Sequence, residues 1–156
     1  ISGVKFRDIT SLVETPIALK KTCDQITKIS RKFAPNLLVG IESRGFIFAT
    51  PLALKIGCKL VLARKPGKLP RDTIRENYTL EYGTDGMEIH ADAIKKNDRV
   101  LIIDDLLATG GTAKATGKII KKLNGTIVSY AFLIILHKLN GYQKLEKDKI
   151  FSILEL

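Results

Sequence analysis

The densest chemistry in the chain lies in one stretch. Val100-Leu101-Ile102-Ile103 is followed by two carboxylates, Asp104 and Asp105, and then by Leu106-Leu107-Ala108-Thr109-Gly110-Gly111-Thr112. An apolar strand that ends in paired acids delivers them to the edge of a sheet. Carboxylates accept hydrogen bonds and repel phosphate, so they suit hydroxyl groups or a cation. The small residues that follow let backbone amides turn toward an anion, and a helix opening there adds its positive end. The hydroxyls of Thr109 and Thr112 are further donors. Acceptors for sugar hydroxyls and a cradle for a phosphate thus share one loop, which makes it a ribose-phosphate site. The competing reading is a plain strand-to-helix turn with an aspartate cap. Two acids together with Thr-Gly-Gly-Thr form a more specific pattern than that turn requires.

Such a strand must sit in a sheet, and the rest of the chain supplies one. Pro16 after Thr15 predicts a helix start with Thr15 as cap, and Ala18, Leu19, Thr22, Ile26 and Ile29 recur at helical spacing. Leu37 to Ile41 reads as a buried strand, with a helix from about Gly45 to Gly57 and a strand from Lys59 to Ala63. A helix from Gly110-Gly111 to about Leu123, a strand from Thr126 to Leu136 and a last strand from Phe151 to Leu154 complete the alternation. Apolar strands alternating with helices imply α/β architecture, a mostly parallel sheet with helices on both faces. Ligands bind beyond the carboxyl ends of such strands. One region breaks the rhythm: Arg64 to Gly86 is polar and carries Pro66, Gly67, Pro70, Gly83 and Gly86. A strand-like piece at Tyr78–Tyr82, with Met87–His90 as its partner, makes this a hood-like excursion over about residues 65–90. A long excursion of this kind is usually functional.

At 156 residues and 45% apolar composition, the length suits one domain, 1–156, with a full core. The longest uninterrupted apolar run, residues 131–136, suits a buried strand and is far short of a membrane-spanning helix. No charged-then-apolar leader is visible, and a cytoplasmic location is expected. Cys23 and Cys58 lack metal-type spacing and read as reduced, packed thiols. The formal net charge of +10 raises nucleic acid as a partner. The lysines are scattered along the chain, many at helical spacing on solvated faces, so the positive field fits an anionic small substrate better. A regulator that binds nucleic acid is the alternative from another class, although no added DNA-binding segment is visible.

The stretch from Val100 to Thr112 resembles the phosphoribosyl pyrophosphate signature of the type I phosphoribosyltransferases. Phe6-Arg7-Asp8-Ile9-Thr10, Gly40-Ile41-Glu42-Ser43-Arg44-Gly45-Phe46, Arg64-Lys65-Pro66-Gly67-Lys68-Leu69-Pro70 and Tyr78-Thr79-Leu80-Glu81-Tyr82-Gly83 narrow the resemblance to the adenine-specific branch of that family. They stand in its order and spacing, from Val4 to about Leu154.

The resemblance implies the type I phosphoribosyltransferase fold with a flexible hood loop, a homodimer, and transfer of phosphoribosyl from phosphoribosyl pyrophosphate to adenine in purine salvage. Transfer to hypoxanthine, guanine or xanthine is the nearest alternative. It assigns the ribose hydroxyls to Asp104 and Asp105, and the 5-phosphate to Ala108, Thr109, Gly110, Gly111 and Thr112. Pyrophosphate falls to Arg44, Arg64, Lys65 and Lys68. Arginine suits that role because its fork makes paired hydrogen bonds to phosphate oxygens; the bland reading of Arg44 is an ion pair with Glu42. Glu81 would take or stabilise the imidazole proton of the attacking base, with Tyr82 covering the site on closure. Phe6 and Leu106 would sandwich the base, and main chain near Lys5 and Arg7 would read its edge. The implied cofactor is Mg2+, held by pyrophosphate and ribose oxygens with no protein metal site of its own. His90 and His137 read as structural.

Overall fold

The computed structural model describes residues 8–80 and 82–156. A five-residue helix, α1 (Thr10–Glu14), leads into α2 (Pro16–Ser30). Pro16 occupies the first turn of α2, where its missing N–H costs nothing. Thr15 stands at the cap position but makes no side-chain cap bond; its hydroxyl donates back to the Ser11 carbonyl at 2.8 Å instead. Then come β1 (Leu37–Ile41), α3 (Gly45–Ile56), β2 (Lys59–Ala63), β3 (Thr73–Thr79), β4 (Thr84–His90), β5 (Arg99–Leu107), α4 (Gly111–Lys122), β6 (Thr126–Ile135) and β7 (Ile150–Glu155). Short 3-10 turns at His137–Leu139, Gly141–Lys144 and Lys147–Lys149 bridge the last two strands.

Five strands form one sheet in the order β2-β1-β5-β6-β7, every neighbouring pair parallel. The chain runs outward from β1 to β2 on one side, then returns to lay β5, β6 and β7 on the other. The order therefore reverses between β1 and β5, and a crevice opens beyond their carboxyl ends. The helices cover both faces, as the alternation predicts. Leu38, Leu101, Ile103 and Ala131 face α2 and α3, packing on Ile26, Phe48 and Leu52. Val39, Val100 and Ile102 face α4 and β4, packing on Ile119, Ile120, Met87 and Ile89. All five residues of β1 are buried, which is why it reads as an unbroken apolar run. Truncating a fully buried aromatic such as Phe132 would cost about 3–5 kcal/mol.

The hood is an antiparallel hairpin of β3 and β4, tied to the large sheet by an Arg64–Glu88 bridge. Its first strand ends at Thr79, earlier than the Tyr78–Tyr82 piece expected from the sequence. There the Leu80 N–H donates to the Gly83 carbonyl at 2.9 Å and closes a turn, with Gly83 at φ 99°. The return strand also starts earlier than Met87. Met87 and Ile89 are fully buried beneath the main sheet, so the base of the excursion is part of the core.

Candidate active site

Strand β5 alternates its side chains between the two faces, and this splits the acidic pair. Asp105 points into a buried position, where its Oδ2 lies 3.0 Å from the Arg44 Nε. Asp104 keeps some exposure, and its Oδ1 accepts the backbone N–H of Asp105 at 2.8 Å. Burial, reinforced by the neighbouring charge of Asp105, raises the Asp104 pKa well above the usual carboxylate range; Arg44 opposes this more weakly. The pair is thus an acceptor site under electrostatic tension, eased by any donor or cation that arrives.

The loop after β1 is seated directly on this pair. A Cβ built on Gly45 would lie 2.8 Å from the Ile103 carbonyl oxygen and 3.2 Å from Asp104 Cα, so only glycine lets the loop come this close. That approach carries Arg44 to Asp105. Glu42, in the same loop, pairs with Arg64, not with Arg44: Arg64 Nη2 reaches Oε1 at 3.0 Å and Nε reaches Oε2 at 3.3 Å. The Lys65 N–H adds a bond to Oε2 at 2.8 Å. Burial works against ionisation of Glu42, but the Arg64 and Lys65 bonds outweigh it and lower its pKa. Glu42 thereby fastens the start of the hood to the end of β1.

After β5 the chain turns at Ala108-Thr109-Gly110 into α4. Gly110 sits at φ 75°, and a Cβ on it would fall 2.6 Å from the Gly141 carbonyl oxygen. Backbone of the turn at Gly141–Lys144 thus braces the loop, and α4 opens directly after it, where the first helical amides have no partner within the helix. Thr109 is exposed, and Ala108 and Thr112 are half-buried.

The remaining expected residues fall around this centre. Leu106 is half-buried and packs with Ile103 against the core under α2 and α3. Lys68 is exposed, and its carbonyl accepts Arg64 Nη1 at 3.2 Å. The Lys65 ammonium lies inside the hood base, bonded to Tyr78 Oη at 2.6 Å and paired with Asp85. Tyr82 is 83% exposed. Lys5, Phe6, Arg7 and Glu81 lie outside the described residues. His137 pairs with Glu155 at 2.9 Å. Among the described residues no group of three or more His, Cys, Asp or Glu could hold a metal ion, and no helix is long and apolar enough to cross a membrane.

Two contributors escaped the sequence reading. Asp85 and Tyr78 stand directly opposite each other in the hairpin register, and both reach Lys65. The available signal was the alternation Ile74, Glu76, Tyr78, which marks one face of a strand longer than the piece read from the sequence.

A five-stranded parallel sheet carrying acids and a glycine turn at its reversal point defines a phosphoribosyl transferase domain, and the family model of that description matches residues 8–155. The chain is 53% identical over 150 residues to the adenine phosphoribosyltransferase of Escherichia coli O157:H7 strain EC4115, covering 96% of this chain and 82% of that protein. The crystal structure of adenine phosphoribosyltransferase from Thermoanaerobacter pseudethanolicus superposes with a TM-score of 0.95 at 42% identity, covering 99% of this chain and 90% of that one. The Saccharomyces cerevisiae enzyme, solved with an imino-altritol bisphosphate and adenine, gives a TM-score of 0.90 at 36% identity over 96% and 87% of the two chains. The chain belongs to the adenine phosphoribosyltransferase family.

Proposed function

We propose that this chain transfers the phosphoribosyl group of phosphoribosyl pyrophosphate to adenine, releasing AMP and pyrophosphate in purine salvage. The observation that carries this reading is the Arg44–Asp105 contact, which sets an anion-binding guanidinium against sugar-binding carboxylates at the sheet reversal. Asp104 and Asp105 accept the ribose hydroxyls, and the amides and hydroxyls of residues 108–112 take the 5-phosphate. Arg44, with Arg64, Lys65 and Lys68, meets the charge that builds on the pyrophosphate as its bond to the anomeric carbon breaks. The base nitrogen bonds to that carbon while the imidazole proton passes to the Glu81 carboxylate. Phe6 and Leu106 hold the ring in line for attack, with main chain at Lys5 and Arg7 on its edge. Tyr82 on the hood helps exclude water.

Mg2+ fits this donor set, because Asp104 and Asp105 stand adjacent near the end of β5 and offer only carboxylate oxygens, the ligand type a hard divalent cation takes. Asp104 and Asp105 would hold it through the ribose oxygens, and when bound it neutralises charge on the leaving pyrophosphate. A cytoplasmic homodimer, each copy acting as one domain, completes the reading. Incubation with magnesium, phosphoribosyl pyrophosphate and each of adenine, hypoxanthine, guanine and xanthine tests the proposal. AMP alone is expected; no AMP under any condition would overturn it.

A further inference from the structure

The Tyr78 hydroxyl joins the hood to the phosphate turn through a polar contact. It lies 3.2 Å from the Thr112 Oγ1, 2.6 Å from the Lys65 Nζ and 3.0 Å from the Asp85 Oδ2. Its ring presses on Gly111, where a Cβ would come within 2.9 Å of Cδ2. A phenol has one proton to give and two lone pairs to accept with. Here all three are in use: Lys65 and Thr112 donate to it, and it donates to Asp85. Asp85 has other support, from Lys65 at Oδ2 and from the Gly86 N–H at Oδ1, 2.7 Å away. Asp85 therefore stays satisfied if Tyr78 turns its proton elsewhere.

Thr112 also has one hydroxyl proton, so it cannot serve Tyr78 and a phosphate oxygen at the same time. From this competition we infer that Tyr78 is a positioning residue that couples occupancy of the phosphate turn to the hood. Without ligand, Thr112 donates to Tyr78 and Tyr78 donates to Asp85. When a phosphate group arrives, Thr112 donates to it, and the Tyr78 proton swings from Asp85 to the Thr112 oxygen. Tyr78 then polarises Thr112 as a donor and strengthens its bond to the phosphate. The inference rests on the reading of residues 108–112 as the 5-phosphate cradle, and it does not require adenine as acceptor.

Tyr78→Phe keeps the ring on Gly111 and removes only the hydroxyl; Thr112→Val keeps the shape and removes the other hydroxyl. Ribose 5-phosphate binding to the full chain, measured by calorimetry, is the primary readout. Tyr78→Phe should weaken it by about twofold, the scale on which one hydrogen bond polarises another. It should raise KM for phosphoribosyl pyrophosphate in proportion, with kcat nearly unchanged. The double variant should bind no more weakly than Thr112→Val alone, because Tyr78 acts through Thr112. Additive losses, or unchanged binding in Tyr78→Phe, would overturn the coupling even if the wild-type chain makes AMP. Conversely, non-additive losses in a chain that makes no AMP would uphold it while the proposed reaction falls.

Discussion

The sheet edge and the hood reach the same crevice by opposite physical means. At the edge, Asp104 and Asp105 are carried on β5, whose preceding residues Val100 to Ile103 are essentially inaccessible to water. Their position is a by-product of core packing, in which even a small change of volume is felt. The hood instead is held by charge: Glu42 grips Arg64, Asp85 grips Lys65, and Glu76 receives Lys118 at 2.7 Å and Lys122 at 2.7 Å from α4. Met87 and Ile89 root it in the core, with Ile74 and Tyr78 half-buried against the same cluster. Such polar ties are individually worth little and are screened by salt. The division suits a reaction in which the sugar must be fixed while a cover moves over it.

Variants can break that comparison, and the largest effect is expected on the hood side. Glu81→Ala removes the proposed proton acceptor, so kcat should fall by about 10²–10⁴ while the affinity for phosphoribosyl pyrophosphate changes little. Steady-state kinetics in both substrates reads this; unchanged turnover would leave the hood as a mere cover. At the edge, Gly110→Ala forces a Cβ against the Gly141 carbonyl at a left-handed φ. The turn must shift, and displacement on the scale of 1 Å costs about 10² in kcat/KM. Native affinity for ribose 5-phosphate in this variant would show that backbone placement does not set the cradle.

What could be read from the sequence follows the same division. β1 was expected at Leu37–Ile41 and is found there, because an unbroken apolar run bounded by polar residues leaves little choice. The helix after Gly110-Gly111 and the strand leading to Asp104 were equally plain. The contacts that assemble the site were not. The Arg44–Asp105 pair joins residues from two strand ends that become neighbours only through the β1–β5 pairing. The tie from Glu42 to Arg64 is likewise set by the parallel β1–β2 register. In the hood, β3 lacks a strong apolar period and its length was underestimated, so Tyr78 and Asp85 were missed as partners of Lys65. Polar networks encode little periodicity, and long-range pairing decides them.

A smaller effect probes the strain at the sheet edge through stability. The folded-state pKa of Asp104 is raised by burial and by Asp105, so its charge destabilises the fold at neutral pH. Asp104→Asn retains an oxygen for the Asp105 N–H and removes the charge. Its Tm should exceed wild type at pH 7 by about 2–4 °C, the shift for roughly 1 kcal/mol in a chain of this size. That gain should shrink as pH falls through the raised folded value, and disappear below the unfolded value near 3.8. The same variant should lose sugar affinity, since the oxygen pair no longer carries its charge. A Tm below wild type at pH 7 would mean that Asp104 is a structural acceptor rather than a site held at the expense of stability.

The smallest effect tests the hood's attachment. Glu76 sits on β3 with its side chain 15% exposed, receiving two lysines that are themselves about half exposed. Hydrogen bonds from Lys118 and then Lys122 lower its pKa against a weaker opposing effect of burial. Its contribution to stability is therefore present above the unfolded value of 4.5 and is lost as pH falls through the lower folded value. Glu76→Gln should cost about 1 kcal/mol at neutral pH and low salt, since it loses two pairs and an exposed pair contributes roughly 0.5 kcal/mol. The deficit should close on adding salt, through screening, and should also close as the pH drops below 4.5. Phe132→Ala, which opens the sheet core, should show neither dependence. Thermal melts across salt and pH for the two variants separate the mechanisms. A Glu76→Gln deficit that persists in high salt would place the hood with the sheet as a packed element, and the contrast between the two regions would be lost.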